Sequence, residues 1–137
     1  MQNIRVLTMD FDGVLCDSEE FHSRMFREFS GISVSEEEFA SMHDGNFFDH
    51  SLSKLRHIDW MAYRDFVLPR SQHLGMQEGC RSFLEAVGSR FTLFIVTSNG
   101  EANVAAFLDR NGVGSLFCEI LGLETSLGKV EKLRSIL

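Results

Sequence analysis

The stretch from Ile4 to Met9 is an apolar run rich in β-formers, and it stops abruptly at Asp10-Phe11-Asp12-Gly13. It is too short for a typical buried helix, so it reads as a buried strand. Asp10 then falls just past the strand's C-terminal end, where open parallel α/β sheets bind their ligands. A carboxylate there is costly to bury unless something cationic meets it. Two carboxylates two residues apart, with a glycine after them, point to metal or phosphate chemistry rather than to a requirement of the fold. The competing reading of the same letters is an acidic turn after a strand.

Behind this strand the chain divides by pattern. Phe21, Met25 and Phe29 recur at intervals of four, one apolar stripe on a helix that Asp17 or Ser18 caps and Gly31 closes. A second helix is expected from Ser35, with Glu38 in capping-box position, ending before the turn signal Asp44-Gly45-Asn46. A third is expected over roughly Phe47 to His57. A fourth starts at the cap Asp59 and carries Trp60, Tyr63 and Val67 until Pro69 kinks or ends it. No convincing strand interrupts this stretch.

After His73 the pattern changes. A helix is expected over residues 78–87, with Phe83, Leu84 and Val87 apolar, then a strand from Phe91 to Val96. Residues 101–111 read as a helix with Val104, Phe107 and Leu108 inward and Gly112 just beyond its end. Phe117 to Leu121 is a third strand, and Lys129 to Leu137 a last helix with Val130, Leu133 and Leu137 on one face. Strands alternating with helices predict an α/β class and a Rossmann-like parallel sheet. Residues 1–16 and 76–137 would form that core, with residues 17–75 as an inserted α-helical unit.

The composition allows a packed core, with 44% apolar and 24% charged residues in 137. A net charge of −7 disfavours nucleic acid or an anionic membrane as partner. It also obliges any site for a phosphorylated anion to carry its own local positive charge. Cys16, Cys80 and Cys118 are far apart and lack metal-binding spacing, so reduced thiols and a cytoplasmic location are expected. The start does not read as a signal peptide, and no apolar run approaches membrane-spanning length.

Two further segments bear on chemistry. Thr97-Ser98-Asn99-Gly100 follows the second strand and precedes a helix. A hydroxyl and adjacent backbone N–H groups in that place make an anion cradle, although the same letters also spell an ordinary turn and N-cap. Lys129 opens the last helix, with Lys132 and Arg134 close by; taken by itself it is as readily a solvent-facing lysine.

The string Asp10-Phe11-Asp12-Gly13-Val14-Leu15, with Asp17-Ser18 after it, resembles the first motif of the haloacid dehalogenase (HAD) superfamily. More narrowly it resembles the phosphatase and phosphoglucomutase-like branch with a small helical cap. The resemblance implies a HAD-like core with residues 17–75 as the cap. It implies an Mg²⁺-dependent phosphatase that hydrolyses a small organic phosphate monoester, a phosphorylated metabolite, through an aspartyl-phosphate. In that scheme Asp10 is the nucleophile and Asp12 the general acid and base. Both are metal ligands, Asp12 through its backbone carbonyl. Dehalogenases proper lack the second Asp, so Asp12 argues for phosphoryl transfer. Thr97 matches the family's phosphate-binding hydroxyl, Ser98 its neighbouring N–H, and Lys129 the lysine paired with nucleophile and phosphate. His22, on the first cap helix, and Gly45, in a loop, match substrate-facing positions, against the plainer readings of a structural histidine and a helix–helix turn.

A phosphomutase of the same family is the alternative within the enzyme class. A catalytically inactive domain acting as a binding module is the alternative outside it. The family's fourth motif, an acidic loop after a fourth strand, has no counterpart, since nothing acidic follows Glu131. The chain therefore looks C-terminally truncated and its core incomplete. The first strand is expected to be an exposed sheet edge, open to self-association.

Overall fold

The computed structural model describes residues 5–42, 57–125 and 128–137. The chain divides into two compact units, one from residues 1–17 and 74–137 and one from residues 18–73. No helix among the described residues is long and apolar enough to cross a membrane. The turn at Gly45 and all but the last residue of the helix expected over residues 47–57 lie outside the described residues.

The first unit is a parallel sheet of three strands, β1 (Val6–Met9), β2 (Thr92–Val96) and β3 (Phe117–Leu121), in the order β1-β2-β3. Val6 lies opposite Thr92 and Met9 opposite Ile95, so Asp10 and Thr97 leave neighbouring strands at the sheet's C-terminal end, one residue out of step. Between β2 and β3 the register slips. Leu93 pairs with Phe117 and Phe94 with Glu119, so Cys118 is left over as a bulge. Among the described residues β1 pairs only with β2, which leaves its other side an open edge.

Three helices accompany the sheet. Two of them, α4 (Cys80–Gly88) and α5 (Glu101–Arg110), lie on either side of β2 in sequence, and α6 (Lys129–Ile136) follows β3. The helical spacing of Val104, Phe107 and Leu108 turns all three inward, where they are fully buried with Leu93 and Ile95. Each such burial stabilises the unit by about 1.5–3 kcal/mol. Gly112, with φ +66°, takes the left-handed position after α5 that the sequence anticipates. On α4 only Cys80 and Leu84 are buried, and Phe83 faces outward.

The apolar face of α6 also looks outward. Val130 is 56% and Leu133 39% exposed, whereas Lys132 is 1% exposed. Apolar spacing alone would have turned this helix the other way. A buried acceptor for the lysine, described below, accounts for the inversion.

The second unit is helical: α1 (Glu19–Ser30), α2 (Glu36–Met42) and α3 (Trp60–Arg70), then a single 3₁₀ turn, Ser71–His73. Its described residues contain no strand. Ser35 and Glu38 form a reciprocal capping box, Glu38 N–H donating to Ser35 Oγ at 3.1 Å and Ser35 N–H to Glu38 Oε2 at 3.0 Å. Asp59 caps α3 by accepting from the N–H groups of Met61 and Ala62. Ser18 occupies the N-cap of α1 but makes no side-chain capping bond, and Gly31 ends that helix at φ +66°. Pro69 sits in the last turn of α3, which stops one residue later. The core of the unit is aromatic, with the buried Phe26 ring against Phe39, Trp60 and Tyr63.

Candidate active site

The site is built at the C-terminal end of the sheet in the first unit. The chain leaves β1 through Asp10, Phe11 and Asp12. Phe11 is buried edge-on against Phe107, with ring centroids 5.0 Å apart, and so anchors the segment to α5. Its carbonyl accepts from the N–H groups of Val14, Leu15 and Cys16. Gly13 makes that tight turn possible by adopting φ +72°. Asp10 and Asp12 stand on either side of the buried Phe11.

Asp10 Oδ1 accepts from the Phe11 N–H at 2.7 Å, and its Oδ2 meets Lys129 Nζ at 2.6 Å. Both side chains of this pair remain more than a third exposed, 41% for Lys129 and 36% for Asp10. An ion pair that wet contributes at most about 1 kcal/mol to stability. Its importance is positional: it brings the first residue of α6 to a carboxylate 119 positions away.

Asp12 is held from the other side. Asn99 Nδ2 donates to Asp12 Oδ2 at 3.0 Å, while Asn99 Oδ1 accepts from Asn103 Nδ2 at 3.0 Å. The second bond fixes which end of the Asn99 amide faces the carboxylate. Asn103 lies on α5, so the helix aims Asn99 and Asn99 aims Asp12.

Thr97 is buried, and its Oγ1 accepts from the Asn99 N–H at 3.0 Å, which leaves the hydroxyl proton free to donate elsewhere. The Thr97 N–H donates to Leu121 O at 3.0 Å, tying the loop to the end of β3. The next turn of chain, Gly122 to Thr125, is stitched to the same loop. Leu123 N–H donates to Asn99 O at 2.9 Å, Gly122 N–H to Glu101 Oε1 at 3.1 Å, and Glu101 N–H to Glu124 Oε2 at 2.9 Å. Thr125 Oγ1 donates to Glu101 Oε1 as well.

Lys132, one turn along α6 from Lys129, is fully buried and donates to Thr97 O at 2.5 Å. Burial holds its ammonium below the usual lysine range. Lys129 adds to that shift, and Glu101, Asp10 and Glu124 oppose it.

Of the residues singled out from sequence, Asp10, Asp12, Thr97, Ser98 and Lys129 thus share one end of one sheet. His22 stands on α1 in the helical unit, half-buried with its ring against Phe21. Gly45 lies outside the described residues. Asn99, Glu101 and Lys132 had no role assigned from sequence. The visible signal for Asn99 was its place in the turn after β2, and for Lys132 its place three residues from Lys129.

Chemically, the arrangement offers a carboxylate beside an ammonium, a second carboxylate aimed by an amide, and a loop with a buried hydroxyl. Among the described residues no group of three or more His, Cys, Asp or Glu side chains is gathered to hold a metal. The Asp10 carboxylate and the Asp12 backbone carbonyl still match Mg²⁺, which takes one or two protein carboxylates beside phosphate oxygens and water.

Solved structures share the fold at low sequence identity. A predicted phosphatase from Clostridium acetobutylicum superposes with a TM-score of 0.76 at 19% identity, covering 97% of this chain and 68% of that one. CbbY from Rhodobacter sphaeroides, in complex with phosphate, gives 0.65 at 18%, covering 90% and 65%. YfnB from Bacillus subtilis, bound to magnesium, gives 0.62 at 15%, covering 98% and 74%. Against these and a Streptococcus pneumoniae hydrolase of the same kind, this chain spans 62% to 74% of the other's length. No curated protein matches it. The model of one family, described as haloacid dehalogenase-like hydrolase, matches residues 7–133. Matched over nearly its whole length, and folded as those structures are, this chain belongs to the haloacid dehalogenase-like hydrolases.

Proposed function

We propose that the protein hydrolyses the phosphate monoester of a small organic molecule, with Asp10 as nucleophile. The observation that carries this reading is the Lys129–Asp10 contact at 2.6 Å, at the C-terminal end of a parallel sheet. A fold alone would gain little from so exposed a pair. A phosphoryl group placed between Asp10 and the Thr97–Ser98 loop would gain a cation for its equatorial oxygens.

In this scheme an Asp10 carboxylate oxygen attacks phosphorus and the bond from phosphorus to the alcohol oxygen breaks. Asp12, protonated, passes its proton to the departing oxygen. Water then attacks the aspartyl-phosphate, Asp12 takes the water's proton, and inorganic phosphate leaves with the Asp10 carboxylate restored. The Asn99 amide keeps Asp12 aimed through both half-reactions. Thr97 and Ser98 supply the hydroxyl and N–H that receive the phosphoryl oxygens, and Lys129 offsets their charge. Asp10 and Asp12 would hold Mg²⁺, which when bound offsets the repulsion between a carboxylate and a phosphate dianion. The magnesium on YfnB and the phosphate on CbbY support this choice of ligands. In this reading the helical unit of residues 18–73 serves as the inserted cap.

The test is hydrolysis of an aryl phosphate with and without Mg²⁺. Asp10→Asn is expected to reduce turnover to background, and Asp12→Asn to lower it by about 10²–10⁴-fold. Turnover that survives Asp10→Asn, or none at all from folded wild-type protein, refutes the proposal.

A further inference from the structure

Lys132 poses a physical question that the scheme above leaves open. A buried ammonium is costly unless its environment repays the lost hydration. Its acceptor among the described residues is not a carboxylate but a peptide oxygen, that of Thr97, at 2.5 Å. A neutral amide or hydroxyl would satisfy that oxygen without burying a charge.

The choice of carbonyl is informative. The C=O of Thr97 and the N–H of Ser98 belong to the same peptide group. The amides on both sides are engaged, Thr97 N–H with Leu121 O and Asn99 N–H with Thr97 Oγ1. Among the described residues no acceptor meets the Ser98 N–H. Of three consecutive donors at the mouth of the site, one is left open, and it is the one whose peptide oxygen carries the buried cation. Hydrogen bonds in series polarise one another, and a charged donor on the oxygen makes the N–H at the other end a stronger donor.

We infer that Lys132 is a positioning residue for anion binding. Through the Thr97 carbonyl it fixes and polarises the Thr97–Ser98 peptide, so that the Ser98 N–H becomes the site's principal backbone donor to a phosphoryl oxygen. The inference rests on the phosphatase reading and adds to it a second cation that never touches the substrate. Lys129 and Lys132 place two positive charges beside Asp10 and the Thr97–Ser98 loop. A dianionic phosphate accompanied by a divalent cation then meets two cations as it enters the site. Both lysines come from one turn of α6, so a single helix supplies both cations.

The experiment is a titration of the ¹⁵N-labelled 137-residue chain with inorganic phosphate in Mg²⁺ buffer, followed by NMR. In the wild type the Ser98 amide proton should move downfield further than those of Thr97 and Asn99. Lys132→Met should weaken phosphate binding by about tenfold, the scale of one charge-assisted hydrogen bond, and shrink the Ser98 response. Lys132→Arg should restore both to within about threefold of wild type. A role confined to stability would lower the unfolding midpoint of Lys132→Met and leave the phosphate affinity and Ser98 shift unchanged, and that result overturns the inference while the phosphatase reading stands. If the wild type binds no phosphate, the reading falls and the inference with it. Should Lys132→Met not fold, the wild type decides alone: the Lys132 ammonium resonance should shift in step with Ser98 as phosphate is added. A Lys132 resonance that stays still while Ser98 moves overturns the inference.

Discussion

Gly122 is where the loop after β3 presses hardest on the loop after β2, and replacing it by alanine tests whether that contact sets the site. A Cβ on residue 122 would lie 2.8 Å from the Asn99 carbonyl oxygen and 3.1 Å from the Glu101 nitrogen, and would overlap Glu101 Cγ. The Glu101 side chain cannot swing aside cheaply, because Oε1 is held by the Gly122 N–H and the Thr125 hydroxyl. The Asn99 carbonyl must therefore retreat, and it is the acceptor for the Leu123 N–H. Overpacking of this kind costs about 1–3 kcal/mol, and a strained or lost hydrogen bond adds about 0.5–1.5 kcal/mol. With a urea dependence of about 1–3 kcal/mol per molar, Gly122→Ala should lower the unfolding midpoint by roughly 1–2 M. Trp60 belongs to the helical unit, so the transition is better followed by far-UV circular dichroism and by exchange of the β2 amides than by tryptophan fluorescence. Gly128→Ala is the matched control. Its Cβ would overlap only the carboxylate end of the Glu131 side chain, which can rotate away, so the cost should stay within about 0.5 kcal/mol. Because Asn99 also aims Asp12, Gly122→Ala should reduce phosphatase turnover as well. A Gly122→Ala midpoint equal to wild type, or a loss as large in Gly128→Ala, would falsify this account of the loop.

Two other outcomes follow from burial. Cys118 is exposed at the bulge of β3, whereas Cys16 and Cys80 are buried and burial pushes the Cys80 thiol above its usual range. A disulfide-exchange reagent should therefore modify one thiol rapidly in the native protein and the other two only in denaturant. Mass spectrometry placing the fast label on Cys16 or Cys80 would contradict the fold. For Lys132 the folded chain gives up its proton at a pH below the ordinary 10.5, so between those points the unfolded chain holds more protons and stability rises with pH. The urea midpoint of wild type, measured relative to Lys132→Met, should climb from neutral pH towards 10.5, and a constant difference would show that the lysine is not desolvated.

What could be read from the letters was mostly what local chemistry decides. The Ser35–Glu38 capping box and the Asp59 cap close within three residues, so sequence displays donor and acceptor together. The parallel sheet followed from short β-rich runs separated by helical spacing. The site was harder to see, because its contacts join distant positions. Asn99 reaches Asp12 across 87 residues and Lys132 reaches Thr97 across 35, and nothing in either neighbourhood announces the partner. On α6 the apolar face was correctly grouped, yet it turned outward because a peptide oxygen elsewhere in the fold claims the lysine between Val130 and Leu133. Phe83 shows the same limit on α4: helical spacing says which residues share a face, and only the finished packing says which face is covered.

The short helix that carries both lysines leaves Val130 and Leu133 open and buries only Lys132, the reverse of an ordinary surface helix. Such a helix is weakly retained by burial and releases at a lower free energy than the core beneath it. Its release would strip two positive charges from the site at once and leave the Asp10 carboxylate without the Lys129 ammonium. Mild denaturant or a rise in temperature should extinguish anion affinity while the amides of β2 still resist exchange, so that function and fold fail at separate points along the same axis.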